Sequence, residues 1–94
     1  MSLLLKDPEA ILDYLIDWGA EYLTEGELLV ASQWSVDPDE ADGIAIAGAD
    51  FDATKSTVKA TAGSAGRIYR LVNRVTTTGG RTDERSVTIR VENR

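Results

Sequence analysis

Between Ile68 and Val91 the chain alternates inward and outward residue types with a period of two, interrupted by a double glycine. Tyr69, Leu71, Asn73 and Val75 fall on one side, against Arg70, Arg74 and Thr76 on the other. Beyond Gly79 and Gly80, Val87, Ile89 and Val91 alternate with Ser86, Thr88 and Arg90. A helix would scatter these positions around its axis, whereas a strand sorts them onto two faces, one buried and one wet. The glycine pair supplies the positive φ angles of a tight connection, so the segment is predicted to be a β-hairpin. A lone hairpin is marginal in water. The remaining residues must therefore provide a second layer.

Most of them read as further short strands. In 57–63, Val58, Ala60 and Ala62 alternate with Thr57, Lys59 and Thr61. In 27–36, Leu28, Val30, Ser32, Trp34 and Val36 are expected to share one face. Residues 37–43 have the Pro, Asp and Gly content of a loop, and 43–51 is an apolar run of small residues suited to close packing. The N-terminal third carries two patterns. Asp7, Pro8 and Glu9 resemble a helix start, and Leu12, Leu15, Ile16, Gly19, Tyr22 and Leu23 would share a helical face. Equally, Leu12, Tyr14, Ile16 and Trp18 alternate with Asp13 and Asp17 as in a strand. A sandwich of about six other strands needs a first strand, so we expect a strand near 11–18 and a helical turn near 19–24.

Ninety-four residues suit one domain with one core, taken as 1–94. About seven short antiparallel strands, with turn signals every ten residues or so, predict an all-β, immunoglobulin-like β-sandwich. In that frame Tyr69, two residues before the inward Leu71 and just after a glycine-containing turn, is placed as a tyrosine corner. Trp34 is expected to pack near Leu71. Asn73 is the odd residue of the hairpin, an amide at an inward position that requires hydrogen-bond partners.

Composition removes whole classes of chemistry. The chain has no cysteine and no histidine, which eliminates disulfides, thiol chemistry, the commonest general base and the best transition-metal ligand. A net charge of −6 disfavours nucleic acid. No run of eighteen apolar residues exists to span a membrane, and the N-terminal apolar stretch is too short for a secretory signal. The acids concentrate in residues 1–53, where Lys6 is the lone base, and every other base lies in 54–94. That asymmetry suits association of one copy with another, although pairing within the chain uses the same charges.

Individual candidate sites fare poorly as chemistry. Asp37, Asp39, Glu40 and Asp42 crowd one loop without the ligand order of a calcium-binding loop. Asp13 and Asp17, roughly 13 Å apart on a strand, are too distant for paired-carboxylate hydrolysis. Ser64, between Gly63 and Gly66, lacks the context of a nucleophile elbow. Tyr14, Trp18, Tyr22 and Trp34 could form a sugar-stacking platform, though aromatics at alternate strand positions usually build core. Arg74, Arg81, Asp83, Glu84 and Arg85 are expected to form either a solvated hairpin end or an interaction surface. No catalytic residue, cofactor or metal is expected.

The strings that remain carry a resemblance. "DPEAILDYLIDW", the Ser32-x-Trp34-x-Val36 strand and "GSAGRIYRLVNRVTTTGGRTDERSVTIRV" resemble a family of small tail proteins of tailed bacteriophages and prophages, the fiber–tail adaptors. The likeness spans nearly the whole chain, is strongest over 63–91 and weakest from Asp39 to Gly48. It implies a non-catalytic virion structural protein that contacts other tail or fiber proteins, with a homo-oligomer in the virion as a further expectation. It also implies a location in the virion tail, and in the host cytoplasm during assembly. The alternative is an immunoglobulin-like module that binds carbohydrate or a cell surface.

Overall fold

The computed structural model describes residues 3–93, and for Glu21 the backbone alone. Seven strands follow one another: β1 (Leu3–Lys6), β2 (Leu12–Asp17), β3 (Leu29–Asp37), β4 (Ile44–Phe51), β5 (Lys55–Ala62), β6 (Ile68–Thr77) and β7 (Thr82–Val91). One helical turn, α1 (Trp18–Glu21), follows β2. The strands form two sheets, β1-β7-β6-β3 and β2-β5-β4, packed face to face as a β-sandwich.

The ambiguous N-terminal third resolves as strand then helical turn. Inward burial of Ile16 and Trp18 outweighs the local helix signal, and Asp17 caps α1 by accepting a hydrogen bond from the Ala20 N–H. Asp7 is no helix cap. Its side chain accepts from the Glu9 N–H at 2.8 Å and its carbonyl from the Ala10 N–H, closing a turn between β1 and β2. β1 itself has no alternating pattern long enough to announce it. It pairs parallel to β7, which corrects the expectation that the strands are all antiparallel. No hairpin joins β1 to β7, and its direction is set by the turn that carries the chain across to β2 in the other sheet.

A second correction concerns β3. Opposite β6 the register slips between Leu29 and Ala31, a bulge that adds one residue and flips the alternation. Leu29 is therefore buried, while Leu28 and Val30 are exposed. Ser32, Trp34 and Val36 keep their inward positions beyond the bulge.

The interior has two apolar regions. Ile44, Val58, Ala60, Tyr69, Leu71, Ile89 and Val91 form one, with Trp34 and Val36 against it. Ile16, Trp18, Leu29 and Val75 form the other, next to α1, with Trp34 touching both. The hairpin at residues 77–82 needs each glycine for a different reason. Gly80 has φ +78°, whereas a Cβ on Gly79 would lie 2.7 Å from Glu27 Oε2.

All four sheet edges are blunted against further strand pairing. β1 has only four residues and points the buried Lys6 inward. β2 carries Asp13 and Asp17 on its outer side, and both β3 and β4 are interrupted by bulges.

Candidate functional site

The polar interior is concentrated where the two sheets meet α1. Asn73 is fully buried on β6. Its Oδ1 accepts from Trp18 Nε1 at 2.8 Å, and its Nδ2 donates to Ser32 Oγ at 2.9 Å and to the Gln33 carbonyl at 3.0 Å. An indole N–H is a donor only, so it fixes which end of the amide faces Trp18. Ser32 Oγ lies 2.6 Å from Ser56 Oγ on β5, which accepts from Trp34 Nε1 at 2.9 Å. One hydrogen-bonded chain thus runs from α1 through β6 and β3 to β5 and ties one sheet to the other.

Beside it lies a buried carboxylate. Glu27 accepts from the Thr24 N–H (3.0 Å), the Thr24 hydroxyl (3.1 Å), the Thr77 hydroxyl and a two-pronged Arg81 guanidinium, whose Nε lies 2.9 Å from Oε2. Arg81 also donates to the Tyr22 carbonyl and stacks 4.2 Å from the Tyr22 ring centre. These donors, Arg81 foremost, hold the Glu27 carboxyl well below the usual carboxylate range. The unfolded chain therefore binds the Glu27 proton more tightly than the fold does. The stability this group contributes is present above its ordinary value of 4.5 and is lost as pH falls through the acid range below it. Glu27→Gln should lower the melting temperature at neutral pH and flatten its fall on acidification; an acid limb unchanged from wild type would refute this.

At the opposite end, the Tyr69 hydroxyl accepts from the Ser64 N–H at 3.1 Å and donates to Glu40 Oε1 at 3.0 Å, while Arg67 binds the other oxygen of Glu40. Tyr14 also buries its hydroxyl, but without a partner among the described residues, and burial pushes its ionisation up. The two tyrosines should respond oppositely to loss of the oxygen. Tyr69→Phe should cost about 1 kcal/mol, and Tyr14→Phe should be neutral or mildly stabilising. Equal losses in chemical denaturation would contradict the difference in partners.

The five charged residues expected to form either a solvated hairpin end or an interaction surface are divided between the two sides of the β6–β7 hairpin. Arg81 is absorbed by Glu27 and Tyr22, and Arg85 stacks 4.9 Å from the Trp18 ring centre on the inner side. Asp83 shares that side, opposite Val75. Arg74 and Glu84 face each other on the outer side, 3.6 Å apart and exposed. The hairpin therefore offers no single charged patch. The aromatic platform is not assembled either, since Trp18 has no exposed surface, Trp34 is half-buried, and the Trp18 and Tyr22 rings meet edge to face at 76°. In the acidic loop, Asp37 and Glu40 pair with Arg70 and Arg67. Among the described residues no three side chains of metal-ligating type converge, and no helix is long and apolar enough to cross a membrane.

The buried polar groups of this chain tie strand to strand and sheet to sheet. The family model described as podophage GP4 fiber-tail adaptor protein gp77 matches residues 6–90. The chain belongs to this fiber-tail adaptor family. No curated protein matches it. The adaptor family is a structural one, which makes catalysis unfavoured for this chain on grounds independent of its missing histidine and cysteine.

Several residues that organise this adaptor escape a reading of the sequence. Glu27 looks like one surface acid among many, and only its contact with Thr77 and Arg81, fifty and fifty-four residues away, reveals it. Lys6 is equally hidden: its Nζ donates to the Ala62 carbonyl at 2.6 Å and the Asp7 carbonyl at 2.9 Å. Ala62 has φ +61°, so the ammonium steadies a strained turn. Ser56 could have been flagged, because it continues the inward alternation of Val58 and Ala60.

Proposed function

We propose that this chain is a non-catalytic structural protein of a tailed-phage virion, one sandwich domain over 1–94 that joins tail and fiber through protein–protein contacts. The observation that carries the reading is the family match over residues 6–90. The fold supports it in two ways. Its buried polar groups serve cohesion, and the strand order, with β1 beside β7 and β2-β5-β4 opposite, agrees with an immunoglobulin-like scaffold. Its partners on this reading are other tail or fiber proteins, and its site of action is the virion tail after assembly in the host cytoplasm.

The test is localisation in the parent virion together with binding to its isolated tail and fiber proteins. Gold-labelled antibody should mark the tail–fiber junction, and the purified chain should bind a component from each side. Virions that lack the chain would end the adaptor reading. Glycan binding has less behind it, because Trp18 presents no face to a sugar.

A further inference from the structure

We propose that the adaptor associates head to tail with a second copy of itself. In this contact the outer face of the β1-β7-β6-β3 sheet of one copy sits on the outer face of the β2-β5-β4 sheet of the next. The inference deepens the adaptor reading and rests on it for its setting in the virion. The receiving feature is a shallow groove on the β2-β5-β4 sheet, lined by Ala47, Gly48 and Ala49 together with Asp13, Asp50 and Lys59. Glycine inside a strand weakens it and often marks a bulge or a close approach by another molecule or backbone. Gly48 has no positive φ, and a Cβ there would meet nothing within 4 Å. Gly48 follows the register shift in β4 between Ile46 and Gly48, and its bare backbone leaves the groove open at that point.

The groove has a charge bias as well as a shape. Lys59 stands directly opposite Asp13 in the ladder, which leaves Asp50 as the excess charge. The occupant should therefore bring an apolar side chain accompanied by a cation. The chain carries such a group on its opposite outer face. Ile68 is 53% exposed there, between Arg67 and Arg70 in sequence and across from Arg90 in the ladder. Arg70 and Arg90 are held by exposed pairs with Asp37 and Glu92, which are weak enough in water to exchange for Asp50 of a neighbour. Edge-to-edge association is disfavoured by the blunted edges, so the faces are what remains. Because knob and groove lie on opposite sides of the sandwich, the contact is heterologous and extends into a ring or filament.

The test uses two half-blocked full-length chains in sedimentation velocity over a wide concentration range. Gly48→Leu fills the groove and leaves Ile68 intact, while Ile68→Asp removes the knob and leaves the groove open. The wild-type chain should associate increasingly with concentration, and each variant alone should associate at least about tenfold more weakly. Mixed together, the two variants should form a dimer that grows no further, since only one productive contact survives. Wild type that stays monomeric throughout, or variants that associate as wild type does, would overturn the proposal. A chain that is monomeric yet still found at the tail–fiber junction would leave the adaptor reading standing and refute only self-association. Loss of binding to a purified fiber or tail protein in Gly48→Leu, without any self-association, would assign the groove to that protein instead.

Discussion

Trp18→Ala should remove about 3–5 kcal/mol of stability. A chain of this size has about 5–10 kcal/mol in all, so the variant should lose roughly a third of it or more. The side chain has no exposed surface, is the largest in its region of the core and is also a hydrogen-bond donor to Asn73. Its removal opens a cavity between Ile16, Leu29 and Val75 and strips Tyr22 and Arg85 of the ring they rest on. The melting temperature should drop by roughly 15–30 °C. A drop under about 8 °C would mean that the region repacks and that Trp18 is not its keystone. The same truncation at the half-buried Trp34 should cost less.

Asn73→Leu should be the second most damaging change, although it adds hydrophobicity to the core. It orphans the Trp18 indole N–H and the Gln33 carbonyl, and it takes from Ser32 its amide donor. Each buried group left without a partner costs about 1–3 kcal/mol, so a loss near 3 kcal/mol is expected from the pair. A double-mutant cycle isolates the central link. In a Trp18→Phe background, which lacks the indole donor, Asn73→Leu should cost at least about 1 kcal/mol less than in wild type. Strict additivity would show that the amide acts through Gln33 and Ser32 alone.

The sandwich was legible in the sequence because its strands have a wet face. β5, β6 and β7 declare themselves by alternation, and the glycine pair marks the turn between the last two. β1 escaped because four residues cannot display a period. The bulge in β3 escaped for a related reason: Leu28, Leu29 and Val30 are all apolar, so the sequence contains nothing to say which two stay outside. The charged cluster after Gly80 was hidden for a different reason. Five consecutive polar residues look like one surface when written in a line, yet a strand sends neighbours to opposite sides. Arg81 met Glu27, and Arg85 met Trp18, through contacts that sequence spacing does not encode. Asn73 was visible as an anomaly, an amide among inward apolar positions, while its main partner, Trp18, could be named only from the folded chain.

Lys6 gives the adaptor a built-in chemical reporter. Its amine is buried at the inner side of the first strand, whereas Lys55 and Lys59 are exposed on β5. An amine-reactive label should therefore modify Lys55 and Lys59 quickly and Lys6 only when β1 lifts from β7. Comparing modification at the three positions in the free chain and in assembled particles would read out whether attachment to the virion clamps the N-terminal strand down or peels it away.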